Sequence, residues 1–281
     1  MAGGADTPAG PGRRPPAAPA ASPAATAKAP TGAPPGSPPG SPLGSAPGLA
    51  PGLALALRDL GFAWPGKGGF ALSCPEFTIA AGEAVLLLGA SGSGKSTLLS
   101  LICGVLVPDR GAVIVDGTDI ARLAAGARDR FRAETIGVIF QQFNLLPYAR
   151  VIDNILLPLR FAPGRRARAG APEAEAARLC AALGLPDRVL SAPAGRLSVG
   201  QQQRVAAARA LIGAPPLILA DEPTSALDAG TQDTFLRLLF DQVRRQRSSL
   251  LMVSHDARLG GAFDRVIRLD RIAAGGAGAG R

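Results

Sequence analysis

Cysteine and histidine are scarce in this sequence. Its 281 residues include three cysteines and one histidine, and Cys74, Cys103 and Cys180 lie far apart with no C-x-x-C pair. This spacing excludes a disulfide framework and a zinc site built on paired cysteines. We therefore expect three buried, reduced thiols, as is typical of a cytosolic protein.

Long apolar runs are also absent. The longest, such as residues 101–107 and 217–220, fall far short of the ~20 residues that cross a bilayer, so we predict no membrane span. A secretory or twin-arginine signal needs an apolar core behind its basic residues, whereas Arg13-Arg14 precedes two prolines and small residues. A transit peptide has a similar composition, but the proline density argues against the amphipathic helix that it needs.

Acidic residues are outnumbered by basic ones. The chain has 21 aspartates and glutamates against 30 lysines and arginines, which gives a formal net charge of +9. Such a charge is typical of proteins that contact nucleic acid or an anionic membrane surface. A solvated, arginine-rich surface gives the same balance, and composition leaves both interpretations open.

The first 52 residues have few of the large apolar side chains that offset the entropy of folding. They contain 14 of the 26 prolines and only four charged residues, namely Asp6, Arg13, Arg14 and Lys28. We predict that residues 1–52 form a disordered tail with polyproline character. The glycine-rich residues 273–281 are predicted to be a second, flexible tail.

The most informative stretch is the glycine-rich loop GASGSGKST at residues 89–97. It follows the apolar run 84–88, leads into a helical pattern, and fits the phosphate-binding motif G-x-x-x-x-G-K-[ST]. Glycines let backbone amides approach phosphate oxygens, a lysine reaches the β- and γ-phosphates, and a serine hydroxyl can ligate Mg²⁺. We predict that the whole loop binds a nucleotide: Gly89, Ala90, Ser91, Gly92, Ser93, Gly94, Lys95, Ser96 and Thr97.

Paired carboxylates follow a second apolar strand. In LILADEP, residues 217–223, the strand ends in Asp221 and Glu222. Hydrolysis of a magnesium nucleotide needs one acid to hold the metal and one to polarise the attacking water, and we assign Asp221 the first role and Glu222 the second. Two acids at a strand end are often surface charges, so this assignment depends on the phosphate loop upstream.

A third feature is LSVGQQQRVAAARAL, residues 197–211. Ser198 caps the predicted helix, and together with Gly200 and the free amides of the helix start it makes a second anion site that lacks a lysine. The alternative is an ordinary capped amphipathic helix, because Val205, Ala208 and Leu211 form a packing stripe.

The rest of the chain alternates between strand and helix patterns. A break at Pro163-Gly164, followed by the basic residues 165–168, is expected to separate the helix at residues 151–159 from the helix at residues 172–184. Strands are predicted at residues 53–64, 69–79, 84–88, 111–116, 135–140, 217–220, 249–253 and 264–269. Helices are predicted at residues 95–104, 119–132, 151–159, 172–184, 199–212 and 229–246.

These motifs, in this order, resemble those of the ATP-binding subunits of ATP-binding-cassette (ABC) transporters over residues 53–272. The loop at 89–97 corresponds to Walker A, LILADE to Walker B and LSVGQ to the signature. Gln141 corresponds to the Q-loop glutamine, residues 225–228 (SALD) to the D-loop, and His255 in VSHD to the switch histidine.

The resemblance implies an α/β fold for this ABC ATPase domain. A P-loop NTPase core of the RecA-like type would carry an antiparallel β subdomain, and an α-helical subdomain would be inserted at residues 142–212. The resemblance also implies an ATP-sandwich dimer, in which the Walker loop of one copy faces the signature of a second copy. ATP and Mg²⁺ are the expected ligands.

The resemblance further implies a role for each site residue. Trp64 would stack on adenine, although a strand-end aromatic of the core is the alternative. Gln141 would contact the metal and the attacking water, and His255 the γ-phosphate. The second copy's signature would contact the nucleotide, with Ser198, Gly200, Gln201 and Asp228 as the residues involved.

A membrane permease is the second implied partner. The loop 142–160 would meet a coupling helix of that permease, which would hold the chain in the cytoplasm at the inner face of the membrane. No nucleic-acid partner is expected. One departure from the family pattern is Val199, where the signature usually has glycine, and a β-branched residue restricts the backbone there. With Lys95, Asp221, Glu222 and His255 intact, we still expect a working ATPase.

Within this family, two stretches are similar to the subfamily that serves lipoprotein release and macrolide export. They are VIFQQFNLLPYARVIDNILLPL and the QQQR after the signature. Three alternatives stay open: a polar amino acid importer subunit, a nucleic-acid-associated cassette ATPase, and a regulatory cassette that controls a cell-wall hydrolase.

The tail at residues 1–52 has no counterpart in the family, so we expect deletion of this segment to be tolerated. Its removal should leave the ATPase rate within about twofold of the full chain and the melting temperature unchanged. Steady-state hydrolysis and thermal denaturation of both forms measure this. A clear loss of either quantity would refute it.

Overall fold

The computed structural model describes residues 52–65, 70–225 and 227–277. Residues 1–51 of the predicted tail, residue 69 of the second predicted strand, Ala226 of the D-loop and residues 278–281 of the second predicted tail lie outside the described residues. Within the described residues, ten strands form two five-stranded sheets. The strands are β1 (Leu53–Ala63), β2 (Phe70–Ala80), β3 (Ala84–Leu88), β4 (Arg110–Val115), β5 (Thr118–Asp119), β6 (Ile136–Ile139), β7 (Leu217–Asp221), β8 (Ser249–Ser254), β9 (Arg265–Arg268) and β10 (Ala274–Ala277).

Eight α-helices accompany these strands in the part of the chain that the structure describes. None of them is long and apolar enough to cross a bilayer. The helices are α1 (Lys95–Ile102), α2 (Ala125–Thr135), α3 (Val151–Leu156), α4 (Pro163–Ala169), α5 (Pro172–Ala182), α6 (Val199–Leu211), α7 (Ala229–Gln246) and α8 (Leu269–Ile272). The helix expected at 119–132 instead begins with a short 3₁₀ turn at Ile120–Arg122, and α2 follows it.

The central sheet has the order β6-β7-β8-β3-β9, and all its neighbouring strands are parallel. Both of its faces are covered, which explains why β3, β7 and β8 are almost continuously apolar in sequence. Parallel strands end at the same edge of a sheet. The residues that follow β3, β7 and β8 therefore meet there, and this is where open α/β sheets bind ligands.

Two hydrophobic cores lie on opposite faces of this sheet. Side chains alternate between the cores along each strand, so that Leu86 of β3 packs with the helical insertion while Leu87 packs with the antiparallel sheet. Ile218 and Leu219 of β7 divide in the same way. The predicted α/β core with an antiparallel β subdomain is confirmed.

The second sheet is antiparallel and has the order β10-β2-β1-β4-β5. Its edge strand β10 corrects the expectation of a flexible tail from residue 273, because Ala274–Ala277 pair with Phe70–Ser73 of β2. Glycine and alanine have low strand propensity, and the pairing here depends on an available sheet edge that sequence composition does not reveal.

The helical insertion between β6 and β7 contains α3 to α6. The prediction that Pro163-Gly164 and the basic residues 165–168 lie outside any helix is wrong, because these residues form α4. Proline is tolerated in the first turn of a helix, and Glu134 accepts hydrogen bonds from the backbone amides of Gly164 and Arg165 at 2.8 and 2.7 Å. This carboxylate supplies the N-terminal cap that the local sequence of α4 lacks.

The three cysteines are buried and unpaired, as predicted. Burial raises the pKa of the Cys74 thiol to about 11 and the pKa values of Cys103 and Cys180 to about 12. These thiols are therefore protonated and unreactive at neutral pH.

Helix α6 lies directly against β6 at Gly137. A Cβ added to this glycine would be 2.2 Å from the carbonyl oxygen of Ala210, which belongs to the backbone of α6. Since backbone cannot rotate away as a side chain can, the close contact requires glycine. The strand that leads to Gln141 is thus packed against the helix that begins at the signature.

We predict that Gly137→Ala lowers the free energy of unfolding by about 1–3 kcal/mol, the usual cost of overpacking. Urea denaturation measures this change. Gly126→Ala is the control, because an added Cβ on this exposed glycine of α2 meets no atom within 4 Å. Equal stabilities of the two variants would contradict the prediction.

Candidate functional site

The phosphate-binding loop connects the end of β3 to the start of α1. Gly92 and Gly94 adopt φ values of 76° and 99°, in the left-handed region that favours glycine. A Cβ on Gly94 would lie 2.4 Å from the ring of Phe70. The hydroxyl of Ser93 is buried and has no hydrogen-bond partner among the described atoms, which leaves it available to a ligand in the loop.

Lys95 lies at the centre of this loop. Its side chain is buried, and its ammonium donates hydrogen bonds to the carbonyl oxygens of Gly89 and Ala90 at 2.7 and 2.9 Å. The same nitrogen is 3.3 Å from Oε1 of Glu222. A fixed positive charge is thus held inside the glycine-rich turn, as binding of a polyphosphate requires.

Two oxygen donors that suit Mg²⁺ lie beside the lysine. The Ser96 hydroxyl donates a hydrogen bond of 3.2 Å to Oδ2 of Asp221, at the end of β7. Burial raises the pKa of Asp221, and the hydrogen bond from Ser96 partly offsets this. The described residues contain no group of three or more His, Cys, Asp or Glu side chains placed to hold a metal ion by themselves. A nucleotide site needs no such cluster, because Mg²⁺ is held by one or two protein ligands together with phosphates and water.

Glu222 and His255 follow adjacent strands of the central sheet. Glu222 adopts a left-handed conformation with φ of 42°, and its amide donates to the carbonyl of Val253 at 3.0 Å. This turn directs the carboxylate back over the sheet edge, where Oε2 is 3.0 Å from Nδ1 of His255. Lys95, Glu222 and His255 therefore form a continuous polar chain, and the carboxylate lies between the two nitrogen groups.

Lys95 and Glu222 line a cavity of about 370 Å³. Trp64 forms one wall, is 44% exposed and donates from Nε1 to the Thr97 hydroxyl at 3.3 Å. An exposed indole in a nucleotide-sized cavity agrees better with a stacking surface than with a core aromatic. The cavity is lined by Trp64, Phe70, Ser91, Gly92, Gly94, Lys95, Ser96, Thr97, Gln141, Asp221 and Glu222.

Phe70 is the cavity residue that the sequence reasoning missed. It lies opposite Trp64 across the β1–β2 hairpin, where the amide of Trp64 donates to the carbonyl of Phe70 at 3.0 Å. The signal was the hairpin register, because two aromatic residues at the facing ends of paired strands lie side by side.

The other predicted residues lie outside this cavity. An adjoining cavity of about 290 Å³ is lined by Gly89, Ala90, Ser93 and His255. The signature residues and Asp228 line neither cavity. Ser198 and Gln201 form a capping box at the start of α6, whose exposed first residue is Val199. Asp228 caps α7 by accepting a 3.0 Å hydrogen bond from the amide of Thr231.

Comparison with known proteins places these motifs in one family. A family profile described as ABC transporter matches residues 72–225. The chain is 41% identical over 198 residues to the lipoprotein-releasing system ATP-binding protein LolD of Syntrophotalea carbinolica, covering 70% of this chain and 86% of that protein. It is 42% identical over 192 residues to the macrolide export ATP-binding/permease protein MacB of Rhodopirellula baltica, covering 68% of this chain and 28% of that protein.

Solved structures show the same architecture. The dimeric structure of MJ0796, a bacterial ABC transporter cassette, superposes with a TM-score of 0.68 at 33% identity, covering 76% of this chain and 93% of that one. The same cassette has also been solved as a dimer in a post-hydrolysis state bound to ADP and Pi, with a TM-score of 0.64.

We predict that Asp221→Asn raises the melting temperature at pH 7 but weakens Mg²⁺ binding about tenfold or more. The pKa of Asp221 is higher in the folded chain than in the unfolded chain, so the folded chain binds this proton more tightly. As pH rises through the folded pKa the proton is lost, and the free energy of unfolding falls. The amide carries no charge and removes that penalty. Thermal denaturation and Mg²⁺ titration in the presence of ATP measure both effects.

The matched control for this variant is Asp129→Asn, because the Asp129 carboxylate is exposed on α2. It should leave Mg²⁺ binding unchanged, and it should change the free energy of unfolding by less than about 1 kcal/mol. A fall in stability of Asp221→Asn would contradict the prediction.

Proposed function

Because the chain belongs to the ABC transporter family, we propose that it is the ATP-hydrolysing subunit of a membrane export system of the lipoprotein-release or macrolide-export kind. The family assignment makes the chain an ATP-binding and ATP-hydrolysing protein. The observation that carries the proposal for the site is the polar chain formed by Lys95, Glu222 and His255 beside Ser96 and Asp221.

The chemistry assigned to the site follows from these positions. Ser96 and Asp221 would hold Mg²⁺, which neutralises charge on the phosphates when bound. Glu222 acts as the general base and takes a proton from the water that attacks the γ-phosphorus, while the bond to the ADP oxygen breaks. His255 orients Glu222 through their 3.0 Å contact, and Gln141 reaches the same cavity from the end of β6.

A second copy of the chain is proposed to complete the site. The cavity is lined on one side by the Walker loop, and the residues of the signature do not reach it within one chain. The dimeric MJ0796 cassette supports the same arrangement here. In this dimer, Ser198, Gly200, Gln201 and Asp228 of one copy would close the cavity of the other.

A membrane permease is proposed to dock in a groove of about 440 Å³ between the central sheet and the helical insertion. Its walls include the side chains of Val105, Phe140 and Phe161, which are 64%, 41% and 65% exposed. Exposed apolar residues around one groove are typical of a protein interface. The groove is also lined by Ser96 and Asp221, so an occupant of the groove lies next to the proposed metal ligands.

The export assignment is supported by LolD and MacB, whose names describe lipoprotein release and macrolide export. The chain spans 28% of MacB, an ATP-binding/permease protein, and 86% of LolD, the ATP-binding protein of a lipoprotein-releasing system, and both names support a membrane permease as the partner proposed here. Such a permease would place the ATPase at the cytoplasmic face of the membrane. We expect no nucleic-acid partner, and the polar amino acid importer subunit is the second candidate.

Phe161→Asp tests the docking proposal on the complex of this chain with its membrane permease. We expect the variant to bind ATP normally and to lose most of the stimulation of Mg²⁺-dependent ATP hydrolysis by the permease, because a charge in the apolar groove is costly to desolvate. Val266→Asp is the control, since Val266 is also exposed (44%) but does not line the groove. Equal stimulation of the two variants would exclude docking at this groove.

Transport assays on the same complex separate the two candidate functions. Release of a lipid-anchored or hydrophobic substrate supports export. Uptake of an amino acid by the reconstituted complex would favour the importer assignment. Absence of hydrolysis by the wild-type complex would contradict both candidates.

A further inference from the structure

We propose that helix α6 positions the two catalytic loops of its own chain, with Arg209 as the positioning residue for the loop of Gln141 and Gln203 for the turn of Glu222. Both side chains extend from the helix to backbone carbonyl oxygens of these loops. Neither residue lines the nucleotide cavity. Arg209 lines the apolar groove instead. Both residues contact the catalytic loops through the backbone carbonyl oxygens that they hold.

Arg209 is buried, with 8% of its surface exposed. Its guanidinium donates to the carbonyl of Asn144 at 2.6 Å and also to the carbonyl of Phe143. Phe143 and Asn144 adopt φ values of 60° and 49°, a conformation that non-glycine residues rarely adopt and that surrounding contacts must maintain. The arginine is one such contact, and it fixes the path of the chain two residues after Gln141.

Gln203 lies on the same helix and is 1% exposed. Its side-chain amide donates a short hydrogen bond to the carbonyl of Pro223, the residue directly after Glu222. Its other polar atom, Oε1, is buried without a partner among the described atoms. A buried amide that satisfies only half of its hydrogen-bonding capacity is unfavourable for stability, which indicates that the contact to Pro223 serves the position of Glu222.

The C-terminal end of α6 is anchored by a third buried side chain. Arg165 of α4 is 2% exposed and donates to the carbonyls of Ala210 and Ile212, both at 2.6 Å. It also donates to the carbonyl of Ile136, where β6 begins, at 3.3 Å. The C-terminal end of the helix is therefore fixed to the central sheet.

This arrangement links the two nucleotide sites of a dimer, and to that extent it rests on the dimer of the proposed function. Ser198 at the start of α6 would contact the nucleotide bound by the second copy. A shift of that end would be transmitted through Gln203 and Arg209 to Glu222 and Gln141 of the same chain. Closure around one nucleotide would thus adjust the catalytic groups at the other.

Gln203→Met is the sharpest test, because methionine is similar in shape and removes the unpartnered oxygen together with the bond to Pro223. We expect a melting temperature close to that of the wild type, an unchanged KM for ATP and a kcat lowered about tenfold or more, since small misplacements of catalytic groups are costly. Arg209→Met should act likewise on the Gln141 loop, and Arg209→Lys should restore part of the rate.

Hydrogen exchange on the full-length chain without nucleotide tests the contacts themselves. Arg209→Met should speed amide exchange at residues 140–146, and Gln203→Met at residues 222–225, while exchange at residues 89–97 stays unchanged. Arg204→Met is the matched control on the same helix, because Arg204 donates to the carbonyl of Gly184 and contacts neither loop. This control should leave both exchange and kcat unchanged.

The outcomes separate positioning from general structural support. A wild-type kcat in folded Gln203→Met and Arg209→Met overturns the proposal. A lower rate also overturns it if the loss of folded protein and of ATP binding accounts for the whole decrease. Unchanged loop exchange in both variants also overturns it, even if the wild-type chain proves inactive. Inactivity of the wild type would instead contradict the proposed function, because exchange requires neither turnover nor a permease.

Discussion

Parallel pairing of β3, β7 and β8 is the constraint on which the site depends. The three strands are hydrogen-bonded in the order β7-β8-β3, so the phosphate loop, the Asp221-Glu222 pair and His255 emerge at one edge. These three segments are far apart in sequence, at residues 89–97, 221–222 and 255. The strands are apolar in sequence because they are buried on both faces of the sheet. The polar residues follow them because ligands bind at the edge where parallel strands end.

Much of the site could be predicted from sequence because each motif carries its own local geometry. The phosphate loop needs glycine in the left-handed region, and Gly92 and Gly94 adopt it. The cap of α6 by Ser198 follows the ordinary preference for serine at that position. The order of strands and helices was predictable for a similar reason, since apolar periodicity reports burial directly.

The features that sequence did not reveal depend on contacts between distant segments. Helix α4 begins with proline and carries three arginines, yet it is stabilised by hydrogen bonds to Glu134 and by those that Arg165 donates to backbone carbonyls of Ala210 and Ile212. Strand β10 exists because the edge of β2 is available. The contacts of Gln203 and Arg209 could not be predicted from the sequence either, because the two residues form part of an ordinary helical pattern there. Local propensity decides little when the partner lies tens of residues away.

The alternation of side chains between the two cores has a mechanical consequence. Strands β6, β7, β8 and β3 of the central sheet each supply one face to the helical insertion and the other to the antiparallel sheet, so a slip of one residue would exchange the side chains of the two cores. Sliding along the strands is thereby blocked, whereas rotation of the layers that cover the sheet leaves its register intact. The central sheet is therefore a layer of fixed register between the helical insertion and the antiparallel sheet, and the apolar groove meets the nucleotide cavity at the edge of this layer, where Asp221 lines both.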